Sequence, residues 1–104
     1  MAITVQTEFL DVATVRVNAY IYDDDGNLAD PTAVTIDIFD PDGTKQVNGV
    51  AMTKTSKGTY YYYYHQGAGE AAMDTGRWRG VVKTADGTGA STIYSAKPFS
   101  FKVI

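Results

Sequence analysis

The sequence predicts an all-β fold, a small antiparallel β-sandwich in a single domain. Three observations predict it. First, leucine and glutamate appear twice each in 104 residues, against 16 valines and isoleucines, 13 threonines and 8 tyrosines. Branched and aromatic side chains suit a pleated, half-buried sheet, whereas leucine and glutamate favour helices. Second, apolar and polar residues alternate with period two over several runs, which gives each run one buried and one wet face. Third, about seven such runs are separated by Asp- and Gly-rich turn signals, with eight of the ten aspartates at candidate turns. A closed barrel would leave a similar string; unequal strand lengths and irregular turns favour the sandwich. A chain of this length holds one core and leaves no room for a second.

Residues 3–9 (ITVQTEF) read as a first, edge strand. Residues 13–22 (ATVRVNAYIY) give the clearest one: Val15, Val17, Ala19 and Ile21 share one face, and Thr14, Arg16, Asn18, Tyr20 and Tyr22 the other. The turn Asp23-Asp24-Asp25-Gly26-Asn27 ends it. Asp30-Pro31 opens the next strand, 33–39, with Val34, Ile36 and Ile38 inward and Thr35 and Asp37 outward. Asp40-Pro41-Asp42-Gly43 is a type I turn signature, because proline presets φ at the second position. Residues 44–55 predict one short strand around Val50-Ala51-Met52, and Ser56-Lys57-Gly58 another turn. Residues 59–65 (TYYYYYH) place Tyr60, Tyr62 and Tyr64 on one face and Tyr61 and Tyr63 on the other. Residues 66–75 read as a loop. Residues 76–85 form a strand with Trp78, Gly80 and Val82 inward; 91–103 closes the domain, with Pro98 marking a strand start or a sheet edge. The expected core is Val15, Val17, Ile21, Val34, Ile36, Ile38, Tyr60, Tyr62, Trp78, Val82, Phe99 and Phe101.

The run from Val15 to Gly43 reads V-x-V-x-A-x-I-x-D-D-D-G-N-x-x-D-P-x-x-V-x-I-x-I-x-D-P-D-G. It is followed by Lys57-Gly58-Thr59-Tyr60 and by Gly76-Arg77-Trp78. This pattern resembles bacterial immunoglobulin-like and macroglobulin-like modules, and is similar to small Ig-like proteins encoded among the capsid and tail genes of tailed bacteriophages. The resemblance spans roughly residues 13–103. It implies an Ig-like sandwich in which these motifs mark the second, third, fifth and sixth strands and their corners. The motifs belong to turns and core, so they speak to fold more than to function. The chain departs from antibody-type domains in having no cysteine pair, and its 66–75 loop is longer than the usual approach to the G-x-W strand.

Charge and composition exclude several functions. The net charge is −3, which argues against a nucleic-acid grip. With no cysteine there is no disulfide framework, thiolate metal site or thiol nucleophile, and one histidine cannot build a multi-histidine centre. The start of the chain lacks a basic segment followed by a long apolar one, and no run approaches the length of a membrane helix. The expectation is a protein used without secretory export, or a piece of a longer one, with no membrane partner. His65 has no local nucleophile to serve, and the carboxylates sit in turns where aspartate caps backbone. The sequence therefore predicts no enzyme and no cofactor.

Two sites remain as candidates. Asp23, Asp25 and Asn27 have the spacing that opens an EF-hand calcium loop. The positions that would need Gly and Glu are Leu28 and Val34, so the loop is not an EF-hand. Calcium would then need ligands from Asp30, Asp86 or a neighbouring loop, and ordinary turn chemistry accounts for the same residues. The tyrosine run is the second. If residues 13–22 and 59–65 are neighbours, their outward faces bring Tyr20 and Tyr22 near Tyr61 and Tyr63. That patch reads either as a protein contact or sugar-stacking surface, or as cross-strand aromatic pairing. Arg77, Arg79 and Lys83 form an outward cationic stripe, either solvated or facing an acidic partner. Two function classes follow. One is a virion subunit of a tailed phage (capsid, neck or tail) that touches copies of itself or other virion proteins. The other is a module of a secreted, cell-surface bacterial protein that binds carbohydrate or a host protein.

Overall fold

The computed structural model describes residues 1–10, 14–65 and 74–104. Among them are eight strands: β1 (Ala2–Phe9), β2 (Thr14–Tyr22), β3 (Ala33–Phe39), β4 (Lys45–Ala51), β5 (Thr53–Ser56), β6 (Thr59–His65), β7 (Gly76–Asp86) and β8 (Ile93–Val103). The only helical element among these residues is a single 3-10 turn, Gly89–Ser91. Two four-stranded antiparallel sheets, β1-β2-β6-β5 and β4-β3-β7-β8, make the sandwich. In immunoglobulin lettering the orders are A-B-E-D and C′-C-F-G, so the Ig-like architecture is present. The loop expected at 66–75 lies, for residues 66–73, outside the described residues.

Eight strands stand where about seven were expected, because the 44–55 stretch makes two. β4 pairs with β3 in one sheet, and β5 pairs with β6 in the other. Met52 is the crossing point: its N–H donates to the Val34 carbonyl at 3.0 Å and its side chain is buried. Val47 on β4 and Met52 at the crossing are the two buried side chains of this stretch, a signal too small to stand out in the sequence.

The core follows the alternation. Val15, Val17, Ala19, Ile21, Ile36, Ile38, Trp78 and Val82 are fully buried, and Val34, Tyr60 and Phe101 nearly so. Two expected core residues, Tyr62 and Phe99, are only partly buried. Phe99 sits on the edge strand β8, where no further strand shields its ring. Tyr64 is buried instead, its ring centroid 5.5 Å from that of Trp78. Trp78 also stacks on Phe101 at 5.9 Å and donates its indole N–H to the Asp74 carbonyl at 2.9 Å. A buried indole needs such an acceptor.

The turns 23–27 and 40–44 are twins. In the first, Asp23 Oδ1 accepts from the N–H groups of Asp25 (2.9 Å) and Asn27 (3.0 Å). In the second, Asp40 Oδ1 accepts from those of Asp42 (3.0 Å) and Thr44 (2.8 Å). The fourth position of each is a glycine at positive φ, Gly26 at 81° and Gly43 at 88°, which a Cβ would penalise. Another glycine is needed for space: a Cβ on Gly58 would lie 2.8 Å from the Ile21 carbonyl oxygen. Asp30 clamps this corner, accepting from the Gly58 N–H (2.8 Å), the Tyr60 hydroxyl (3.3 Å) and Lys54 Nζ (2.7 Å).

Candidate functional site

The outward face of β1-β2-β6-β5 holds the tyrosines, and strand register decides which of them meet. β2 and β6 pair with Arg16 opposite Tyr63, Asn18 opposite Tyr61 and Tyr20 opposite Thr59. Tyr20 is therefore diagonal to Tyr61. Tyr22 pairs with Ala2 of β1 and lies toward the far end of the sheet. The expected four-tyrosine patch is corrected to a tighter group in which Tyr61 and Tyr63 surround Arg16, with Tyr20 beside them and Tyr22 apart. An antiparallel pair sets its neighbours residue by residue, and here the offset puts the arginine, not Tyr20 or Tyr22, between the paired tyrosines.

Arg16 is the organising residue that the tyrosine count obscured. Its guanidinium lies 4.7 Å from the Tyr61 ring centroid and 5.4 Å from that of Tyr63. Nη1 donates to the Tyr63 hydroxyl at 3.2 Å and Nε donates to Asn18 Oδ1 at 2.7 Å. Glu8 on β1 adds a carboxylate oxygen 3.9 Å from Nε. The two rings meet edge-on, 5.2 Å apart at 66°. Tyr63 remains 47% exposed, so the group is ordered and still accessible. At the strand ends, His65 Nδ1 and Thr14 Oγ1 are 2.9 Å apart. The outward alternation of β2 was the signal for Arg16; the identity of its neighbours was not in the pattern.

This cluster is suited to recognition without bond making. Its cation is already held over two π faces, where such contacts contribute about 0.5–1 kcal/mol each at exposed sites. A long side chain already fixed loses little further freedom when a partner covers it. Tyr and Arg are also the side-chain types that carry most energy in protein contacts.

The outward face of β4-β3-β7-β8 differs. Asp37, on an outward position of β3, is only 3% exposed. It takes Lys83 Nζ at 2.7 Å and the Gly49 N–H at 2.6 Å, with Lys45 Nζ at 3.9 Å. The Lys83 hydrogen bond chiefly holds its carboxyl below the usual value, aided by the Gly49 N–H and opposed by burial. β3 and β4 shift register around Ile38, and the Asp37–Gly49 bond ties that irregularity down. Of the expected cationic stripe, Lys83 is thus neutralised within the fold. Arg77 Nη1 donates to Ser100 Oγ at 3.0 Å, and no described carboxylate forms an ion pair with Arg77 or Arg79.

Of the calcium candidates, the Asp23 carboxylate is engaged in its own turn, while Asp25 and Asn27 join that turn through their backbone N–H groups and keep exposed side chains. Asp23 caps its own turn, as Asp40 caps the twin, and the twin does so with Thr44 where the first has Asn27. Asp30 is committed to Gly58, Tyr60 and Lys54, and Asp86 approaches Thr32 Oγ1 at 3.5 Å. Among the described residues, no group of three or more His, Cys, Asp or Glu side chains is gathered for a metal ion.

Comparison with protein-family models, with curated proteins and with solved structures finds no match to this chain.

Proposed function

We propose that this protein is a non-enzymatic interaction subunit, an Ig-like component of a tailed-phage virion. On this reading it joins other virion proteins or copies of itself through the Arg16–Tyr61–Tyr63 face. The observation that carries the contact is the preorganised arginine held against the partly exposed Tyr61 and the half-exposed Tyr63 across the regular β2–β6 ladder. The likeness of the Val15–Gly43 run to small phage Ig-like proteins supports the virion setting. The Arg16 guanidinium already covers a face of each ring, which leaves less open π surface for a pyranose to stack on and favours a protein as the partner. Recognition proceeds by burial of complementary surface around the Tyr63 edge, with no covalent step.

The test is incorporation. In a phage carrying this gene, the protein is expected in purified particles, and a Tyr61→Ser/Tyr63→Ser variant is expected to be depleted at least tenfold while folding normally. Absence of the unaltered chain from particles overturns the virion assignment. Undiminished incorporation of the double variant overturns the tyrosine face.

A further inference from the structure

On the opposite side of the sandwich, a groove of about 690 Å³ opens on the outward face of β4-β3-β7-β8. Phe39, Val81 and Pro98 make its apolar floor; the turn at Asp40-Pro41 and the arginines Arg77 and Arg79 rim it. The arginines are two residues apart on β7, so they project from one face roughly 7 Å apart. Their electrostatics are unfinished. Arg77 stands directly opposite Lys102, a like-charge pair that repels, and Arg79 opposite Ser100. None of these three cations forms an ion pair with a described residue, although the chain carries a net charge of −3. Asp40, the carboxylate among the lining residues, is spent on its own turn and on Gln46 Nε2 at 2.9 Å.

The missing acids stand at the other end of the molecule, which is 42 Å long. The groove lies toward the β3–β4 turn, whereas the 23–27 turn follows β2 at the end where β3 begins. There Asp24 is fully exposed, with only the chain's N-terminal ammonium near it at 3.9 Å, and Asp25 is exposed beside it. These are the two tip positions of a turn held rigid by Asp23. We infer that the groove receives the Asp24-Asp25 turn tip of a second copy, with Arg77 and Arg79 taking the two carboxylates. Donor and acceptor surfaces sit at different places on each copy, so the contact is heterologous and repeats head to tail into an open chain or a ring. It is a weak, salt-sensitive contact that many copies reinforce. It uses a different face from Arg16–Tyr61–Tyr63 and stands or falls independently of it.

Sedimentation velocity of the purified chain tests this at low and high salt. Concentration-dependent species larger than the 11.3 kDa monomer are expected at about 20 mM salt, weakened at least tenfold at about 500 mM. Arg77→Ala/Arg79→Ala and Asp24→Asn/Asp25→Asn should each abolish them, with unchanged circular dichroism and melting temperature. Mixing these two variants restores one intact groove and one intact tip, so it should give a 1:1 dimer and nothing larger. Tyr61→Ser/Tyr63→Ser should leave the association in place. A chain that stays monomeric up to millimolar concentration at low salt overturns the inference. So does association that survives either charge variant in a Tyr61→Ser/Tyr63→Ser background, where the tyrosine face cannot contribute, or a mixture that fails to dimerise. Capture of an added poly-aspartate peptide by the arginines without self-association would assign the groove to a different acidic partner and equally overturn this one.

Discussion

The two outward faces of the sandwich are made by the same pleat and handle charge in opposite ways. On β1-β2-β6-β5, Arg16 is surrounded by rings, an amide and a half-exposed glutamate, and the group stays open to water. On β4-β3-β7-β8, an aspartate at the matching outward parity is sealed beneath two lysines and a backbone N–H. The first face holds its charge in an ordered group that stays half open to water. The second spends its acid on holding β4, and no carboxylate among the described residues pairs with the arginines beyond it. Outward parity therefore says which way a side chain leaves the sheet and not whether it meets water.

The layer between the faces sets the energetic scale. Trp78→Ala removes the fully buried centre of that layer and should cost about 3–5 kcal/mol, read by urea unfolding; a loss under 1 kcal/mol would mean the faces carry the fold. Next comes Asp37→Ala, which strands the Gly49 N–H and releases two lysines. A loss of about 1–3 kcal/mol is expected, with faster hydrogen exchange confined to β4. If β4 exchange is unchanged, Asp37 is not what pins the irregularity.

Acid sharpens the same contrast. The carboxyl of Asp37 is held below its ordinary 3.8, chiefly by the Lys83 hydrogen bond. Its stabilisation is accordingly complete above that ordinary value and is lost as pH falls through the lower folded value. Asp30, held down first by Lys54, and Asp40, where burial pushes upward but is outweighed by the combined hydrogen bonds of the Thr44 N–H, the Gln46 amide and the Asp42 and Gly43 N–H groups, act in the same direction. Melting temperature should be flat from pH 7 to about 5 and drop below about 4. Asp37→Asn should shallow that drop; an identical acid limb in the variant would remove Asp37 from the account.

The smallest effects belong to the open arginines. Arg16→Ala should cost about 1 kcal/mol and change the tyrosine near-ultraviolet signal, because the rings lose the cation between them. Arg79→Ala should change stability by no more than about 0.5 kcal/mol in either direction. Equal spectral changes in the two variants would erase the distinction between the faces.

Much of this was legible in the residues. Period-two alternation announced β2, β3 and β7 and the inward placement of Trp78. The D-x-D-G signatures announced both twin turns, since aspartate and glycine supply the acceptor and the positive φ they need. Less legible was the stretch 44–55, where only Val47 and Met52 are buried and the two strands pair in different sheets. The burial of Asp37 was equally hidden, because its partners come from β4 and β7. The tyrosine site was half legible: parity separated Tyr61 and Tyr63 from Tyr60 and Tyr64, but counting tyrosines drew attention away from Arg16.

By itself, the sequence determined the local matters: where strands run, which side chains share a face, and where the backbone turns. Those depend on neighbours two to four positions away. Only the tertiary structure decided which faces and strands came together, and thereby which cations found an acid and which did not. Arg16 meets Tyr63 across 47 positions of chain and Asp37 meets Lys83 across 46, and no local rule fixes an offset between strands so far apart.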